Sequence, residues 1–178
     1  KDLADVLGNF VNRIVKFAET RCEGRVPEGG EPGPLEEKLY ADVDAALAEA
    51  TEALESMEFR KAAQAIRRLW VLGNEYLQEA APWTAIKTDP VRAGVVVRTG
   101  LNLVRLFSAV SAPVIPFTAQ KMAEAFDLPA QPWPQGDARA ELNRLTPGQG
   151  FAVPGVLFQK LDDAWIAEQS ARFGGAEA

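Results

Sequence analysis

From Val91 to Ser111 the chain offers almost no polar face: Val95-Val96-Val97, Leu101, Val104, Leu106 and Phe107 leave every side of a helix apolar. A helix that is apolar all round has to be wrapped by others, because any face left in water forfeits its burial. The valine triplet alone would suit a strand, yet the stretch is too long for one and shows no alternation. Thr88-Asp89-Pro90 supplies the start: a capping residue, then a proline whose missing N–H goes unneeded in a first turn. Ala112-Pro113 supplies a kink at the other end. The spacing therefore predicts one central helix that must find partners elsewhere in the chain.

Those partners are legible as amphipathic stripes. Leu3, Leu7, Phe10, Ile14 and Phe17 recur at three- and four-residue steps, so residues 2 to about 20 read as a helix with Asp5, Asn9, Arg13 and Lys16 outward. A second helix from about Leu35 to Glu55 turns Leu35, Leu39, Val43, Leu47, Ala50 and Leu54 inward. Ser56-Met57 breaks it from a third, beginning near Glu58, whose inner face carries Phe59, Ala63, Ile66, Leu69, Trp70, Gly73, Leu77 and Ala80. A fifth runs from Pro116 to about Phe126. Residues 22–34 are rich in Gly, Pro and Glu, have little to bury and read as a surface loop. From Asp127 onward Pro, Gly and isolated aromatics replace periodicity, with a short helix near 160–170 and Trp133 and Trp165 as anchors.

The fold class is all-α: an antiparallel bundle of about five helices with an irregular Pro/Gly-rich C-terminal strap ending in a short helix. Residues 1–127 form the bundle and residues 128–178 the strap.

Composition narrows the chemistry. There is no histidine and one cysteine, Cys22, so a Ser-His-Asp or Cys-His nucleophile and a Cys/His zinc site are excluded, and no internal disulfide can close. A reducing, cytoplasmic setting is expected. The carboxylates fall singly among lysines and arginines and read as solvated surface. Gly29-Gly30 lies between two helices without a Lys-Ser/Thr partner, which does not match a phosphate loop. No uninterrupted apolar run reaches the ~20 residues that span a bilayer. A net charge of −6 speaks against nonspecific nucleic-acid binding, though not against the reading of a few exposed bases.

Ala81-Pro82-Trp83 stands apart, since a proline just past a helix stops it and leaves the tryptophan on a fixed corner. Trp83 is there either a core plug or a stacking platform. Asn9 and Arg13, four residues apart, project from one helical face about a turn from each other, so an amide and a guanidinium can address the same flat object. Beside an exposed aromatic, those groups are what a protein uses to read an unstacked base.

Three stretches carry a family resemblance: Asp2-Leu3-Ala4-Asp5-Val6-Leu7-Gly8-Asn9-Phe10-Val11-Asn12-Arg13, then Asn74 to Ala81-Pro82-Trp83, then Leu157-Phe158-Gln159-Lys160-Leu161-Asp162. In order and separation the chain resembles the C-terminal anticodon-binding half of bacterial methionyl-tRNA synthetase. The resemblance implies that Asn9 and Arg13 contact the first anticodon base, the cytosine of CAU, and that Trp83 stacks on it. It also implies a longer parent, a methionine-tRNA ligase whose missing catalytic half uses ATP and Mg²⁺ and in many members holds zinc through cysteines. None of those catalytic signatures is in this chain, so binding without catalysis and no cofactor of its own are expected. The chain opens on Lys1, as a piece of a longer polypeptide would. The expected partners are methionine-specific and initiator tRNA and the parent's catalytic half, with no membrane or DNA. The strap is expected to pack back on the bundle or on that half. An end at Ala178 goes with a monomer, without the appended tRNA-binding domain of some relatives. Many members have Leu-Phe-Pro where this chain has Gln159, a departure that touches docking of the tail and not decoding.

Two rivals remain at this level. Another class I synthetase, such as the valine or isoleucine enzyme, also ends in a helical anticodon bundle. A helical protein-docking module without RNA contact would suit the acidic balance.

Overall fold

In the computed structural model, which describes residues 2–158 and 161–174, the apolar stretch is one helix enclosed by the rest of the molecule. Readings placed on Lys1, Gln159, Lys160 and Ala178 lie outside the described residues. The helices are α1 (Asn9–Arg21), α2 (Pro34–Glu55), α3 (Phe59–Ala80), α4 (Pro82–Thr88), α5 (Pro90–Ser111), α6 (Pro116–Glu124), α7 (Ala138–Glu141) and α8 (Asp163–Phe173). A π-helical segment, Asp2–Gly8, leads into α1. The all-α bundle is as the periodicity predicts.

In α5, buried side chains follow one another without a gap from Thr99 to Ser111. Its length and mean hydropathy of 1.3 would suffice for a membrane crossing, contrary to the expectation that no stretch qualifies, but 94% of that window is buried against the chain's own residues. Asp89 caps its start by accepting from the Arg92 N–H.

The ends of α3 and α5 define an antiparallel pair: Trp70 Nε1 donates to Ser111 Oγ at 3.2 Å, while Gly73 faces Phe107 and Leu77 faces Gly100. α1 runs parallel to α3, as successive contacts show. Arg67 Nε donates to Asp2, Gly73 meets Phe10, and further along Arg13 meets Trp83. A Cβ at Gly73 would stand 2.9 Å from Phe10 Cε2 and 3.0 Å from Phe107 Cζ, so glycine is what lets these helices close on the Phe10–Phe107 ring pair, whose centroids are 5.1 Å apart.

Several expectations are corrected. Phe59 and Ala63 are exposed, because Ala62 and Ala65 take the inward places in the first turns of α3, while Ile66, Leu69, Trp70, Gly73 and Leu77 are buried as the spacing predicts. Leu3 lies at the exposed start of the π-helical segment. The 22–34 loop is not a loose surface excursion: Val26 is buried and exchanges backbone hydrogen bonds with Gln149 and Gly148. At Gly29, φ +62, the backbone presses on Gly94 and Val95 of α5. Residues after 127 contribute Ala138, Leu142 and Leu145 to the core, and Trp133 anchors by donating to Thr51 Oγ1. Trp165 does not anchor: α8 buries no residue, and Trp165 lies on it exposed.

The carboxylates are not all solvated surface either. Glu36 and Glu141 are buried, each against an arginine more than thirty positions away in sequence. Glu36 meets Arg92, 56 positions on, and Glu141 meets Arg105 and, at the exposed end, Arg144.

Candidate nucleic-acid interface

The corner at Ala81 is built differently from a simple stop. Ala81 takes the left-handed conformation (φ 41°, ψ 60°), donates its N–H to the Leu77 carbonyl and ends α3 there. Pro82 then occupies the first turn of a new helix, α4, so Trp83 stands in that helix's opening turn and not in a trailing loop. The same proline that ends one helix begins another, because its fixed φ suits an N-terminal turn.

α4 hangs between two fixed points. Below it in sequence, Tyr76 O–H donates to Glu36 Oε1; above it, Arg92 grips both Glu36 oxygens at 2.5 and 2.8 Å. The Gly33 N–H adds a further donor at 2.8 Å. Burial alone would push the Glu36 carboxyl up. Arg92, Tyr76 and the Gly33 N–H together outweigh that and hold it below its usual value. Burial beside the Glu36 charge pushes the Tyr76 hydroxyl well above its ordinary range, so it remains a donor.

Against this corner lies α1. The Arg13 guanidinium carbon is 4.6 Å from the centroid of the Trp83 ring, a cation–π contact. Trp83 is 36% exposed, too open for a core plug and broad enough to take a planar ligand, while Trp70 at 5% is packing. Asn9 is exposed on the same helix, one turn before Arg13, and its Nδ2 donates to Asn74 Oδ1 at 3.5 Å. Arg13 and Trp83 are therefore brought together by the fold, while Asn9 is held from the α3 side. Asn74 was not singled out by spacing; its signal is a polar amide on the inner stripe between Trp70, Gly73 and Leu77.

A groove of about 530 Å³ adjoins the site, between Asp5, Asn9, Asn12 and Lys16 on one side and Val153 to Phe158 on the other. The Gly29-Gly30 turn, closed on the α5 backbone, offers no cradle for a phosphate.

The bundle has a counterpart among solved structures. The free-state Mycobacterium tuberculosis methionyl-tRNA synthetase shares the fold at a TM-score of 0.74 and 24% identity, over 91% of this chain and 33% of that one. Residues 26–178 match the family described as the anticodon binding domain of methionyl tRNA ligase, and the chain belongs to that family. The matched span contains Trp83 and Asn74; Asn9 and Arg13 precede it. The methionine-tRNA ligase of Caulobacter vibrioides is 64% identical over 179 residues, and that of Ruegeria pomeroyi 50% over 178. The chain spans 31% of the length of each of these relatives.

Proposed function

We propose that this chain reads the first anticodon base, the cytosine of CAU, for a methionine-tRNA ligase, with Trp83 as the stacking platform and Asn9 and Arg13 as the polar readers. The observation that carries the reading is Arg13 held against the ring of a partly exposed Trp83, with Asn9 one turn away on the same helix. An unstacked pyrimidine placed on the indole would bring its polar edge to an amide and a guanidinium. Methionine activation, with ATP and Mg²⁺ and any zinc, belongs in this reading to the remainder of the ligase, and the chain alone binds without catalysing. The tRNAs are those for elongator and initiator methionine, the setting is the cytoplasm, and the protein acts as a monomer.

With a net charge of −6 the isolated chain has little long-range attraction for phosphates, so its own affinity for tRNA is low and the rest of the ligase supplies the backbone contacts. The test is a titration of the full-length polypeptide with anticodon stem-loops carrying CAU or a changed first base, comparing wild type with Trp83→Ala and Arg13→Ala. Loss of first-base discrimination in the variants is the expected result. Discrimination that survives both substitutions would refute the site.

A further inference from the structure

Asn74 lies on α3 one turn past Trp70, and its Nδ2 makes two donations: to the carbonyl oxygens of Val6 and of Trp70, each at 3.0 Å. A carbonyl oxygen only accepts, so neither can face the Asn74 amide oxygen, and the amide is locked one way round. Its Oδ1 is thereby turned toward Asn9, where it meets Asn9 Nδ2 at 3.5 Å. The contact is long, and its direction follows from the lock more than from its own strength. Turned about, Asn9 would set oxygen against oxygen. With Nδ2 toward α3, Asn9 presents Oδ1 outward, and no described residue donates to it.

We propose that Asn74 is a positioning residue that fixes the hydrogen-bonding sense of Asn9, making it an acceptor toward the bound base and so selecting cytosine over uracil. The inference rests on the reading that Asn9, Arg13 and Trp83 hold the first anticodon base. The two pyrimidines offer Trp83 nearly the same ring, and stacking is tolerant of base identity. They differ at position 4, where cytosine carries an amino donor and uracil a carbonyl acceptor. An outward Asn9 Oδ1 accepts from the one and opposes the other. An Asn9 free to rotate would serve either. Val6 belongs to the π-helical segment, so the bond that orients Asn74 also ties that segment to α3. The sense of the amide is set by the fold before any base arrives.

The test uses the full-length polypeptide and stem-loops with cytosine, uracil or no base at the first anticodon position. Asn74→Ala is expected to lower the cytosine-to-uracil affinity ratio roughly tenfold, mainly by strengthening uracil binding, with the abasic stem-loop unchanged. Adding Asn9→Asp, which can only accept, is expected to restore the ratio in the Asn74→Ala background. Should Asn74→Ala fail to fold, Asn74→Ser, whose hydroxyl can still donate back to the Trp70 carbonyl, is expected to show the same loss. A merely structural role would weaken all three stem-loops together at a constant ratio. That outcome, or a double variant that does not recover, overturns the proposal. If Asn9→Ala keeps the ratio, the reading of the site itself fails; if Asn9→Ala abolishes it while Asn74→Ala keeps it, only the role of Asn74 fails.

Discussion

The Arg13 guanidinium sits 4.6 Å above the Trp83 ring, although the two residues belong to different helices and are separated by the whole of α2 and α3. The pairing holds the indole in one orientation in the absence of a base, so that less ordering is left for binding to achieve.

Trp83→Ala is expected to weaken stem-loop binding by about 1–3 kcal/mol, and Trp83→Phe by less, since stacking needs an aromatic plane more than an indole N–H. Both variants should melt within about 2 °C of wild type, because a half-open side chain at a corner contributes little to the core. Binding titrations and circular-dichroism melts measure the two effects separately.

Glu36→Gln keeps the shape of the side chain and removes its charge, leaving Arg92 and Tyr76 around a neutral amide. We expect a loss of about 3 kcal/mol, the low end for breaking a buried ion pair, because Arg92 is itself 30% exposed. Urea unfolding gives the number. Base discrimination should fall as well, since both ends of the α4 corner are tied to this carboxylate.

The same group sets an acid limb. Its folded pKa lies below its unfolded value of about 4.3, so its contribution is fully present above that pH and is lost as pH falls through the folded value. Stability measured between neutral pH and that threshold should show no term from Glu36. Below it, wild type should decline more steeply than Glu36→Gln, and equal slopes would show that the pairing is not what depresses this carboxyl.

Gly73→Ala should destabilise the bundle by about 1–2 kcal/mol despite alanine's better helix propensity, because its Cβ meets two aromatic rings with no flexible end to move. A shift of α1 away from α3 would also carry Asn9 and Arg13 away from Trp83. Thermal melts together with stem-loop titrations check both consequences.

How much of this was legible varies with the distance between partners. The all-round apolar pattern of α5 and the inward Trp70 are local properties, and the structure agrees with them. From Ile66 on, the inner stripe of α3 was legible; in its first turns the inward places belong to alanines, whose weak hydrophobic signal lost to Phe59 at the helix start, where the side chain escapes into water. Pro82 was readable as a stop but not as a start, since that depends on the left-handed Ala81 before it. Glu36 and Glu141 could not be found as buried charges, because Arg92 and Arg105, which meet them in the interior, lie far along the sequence, and Arg144 beside Glu141 reads only as a surface neighbour. Asn9 and Arg13 were visible by spacing. Asn74 was not, because its importance lies in three partners on other turns.

From Thr99 to Ser111, α5 has no outward face, and this separates two kinds of change that an evolving lineage can make. Substitutions along it act on the whole bundle at once, so a sequence survey should find nearly every position restricted and no helical rhythm in the restriction. Asn9, Arg13 and Trp83 hang at the rim, on α1 and α4, where residues can be exchanged without reopening the centre. A scaffold divided in this way can acquire a new reading preference while keeping its architecture.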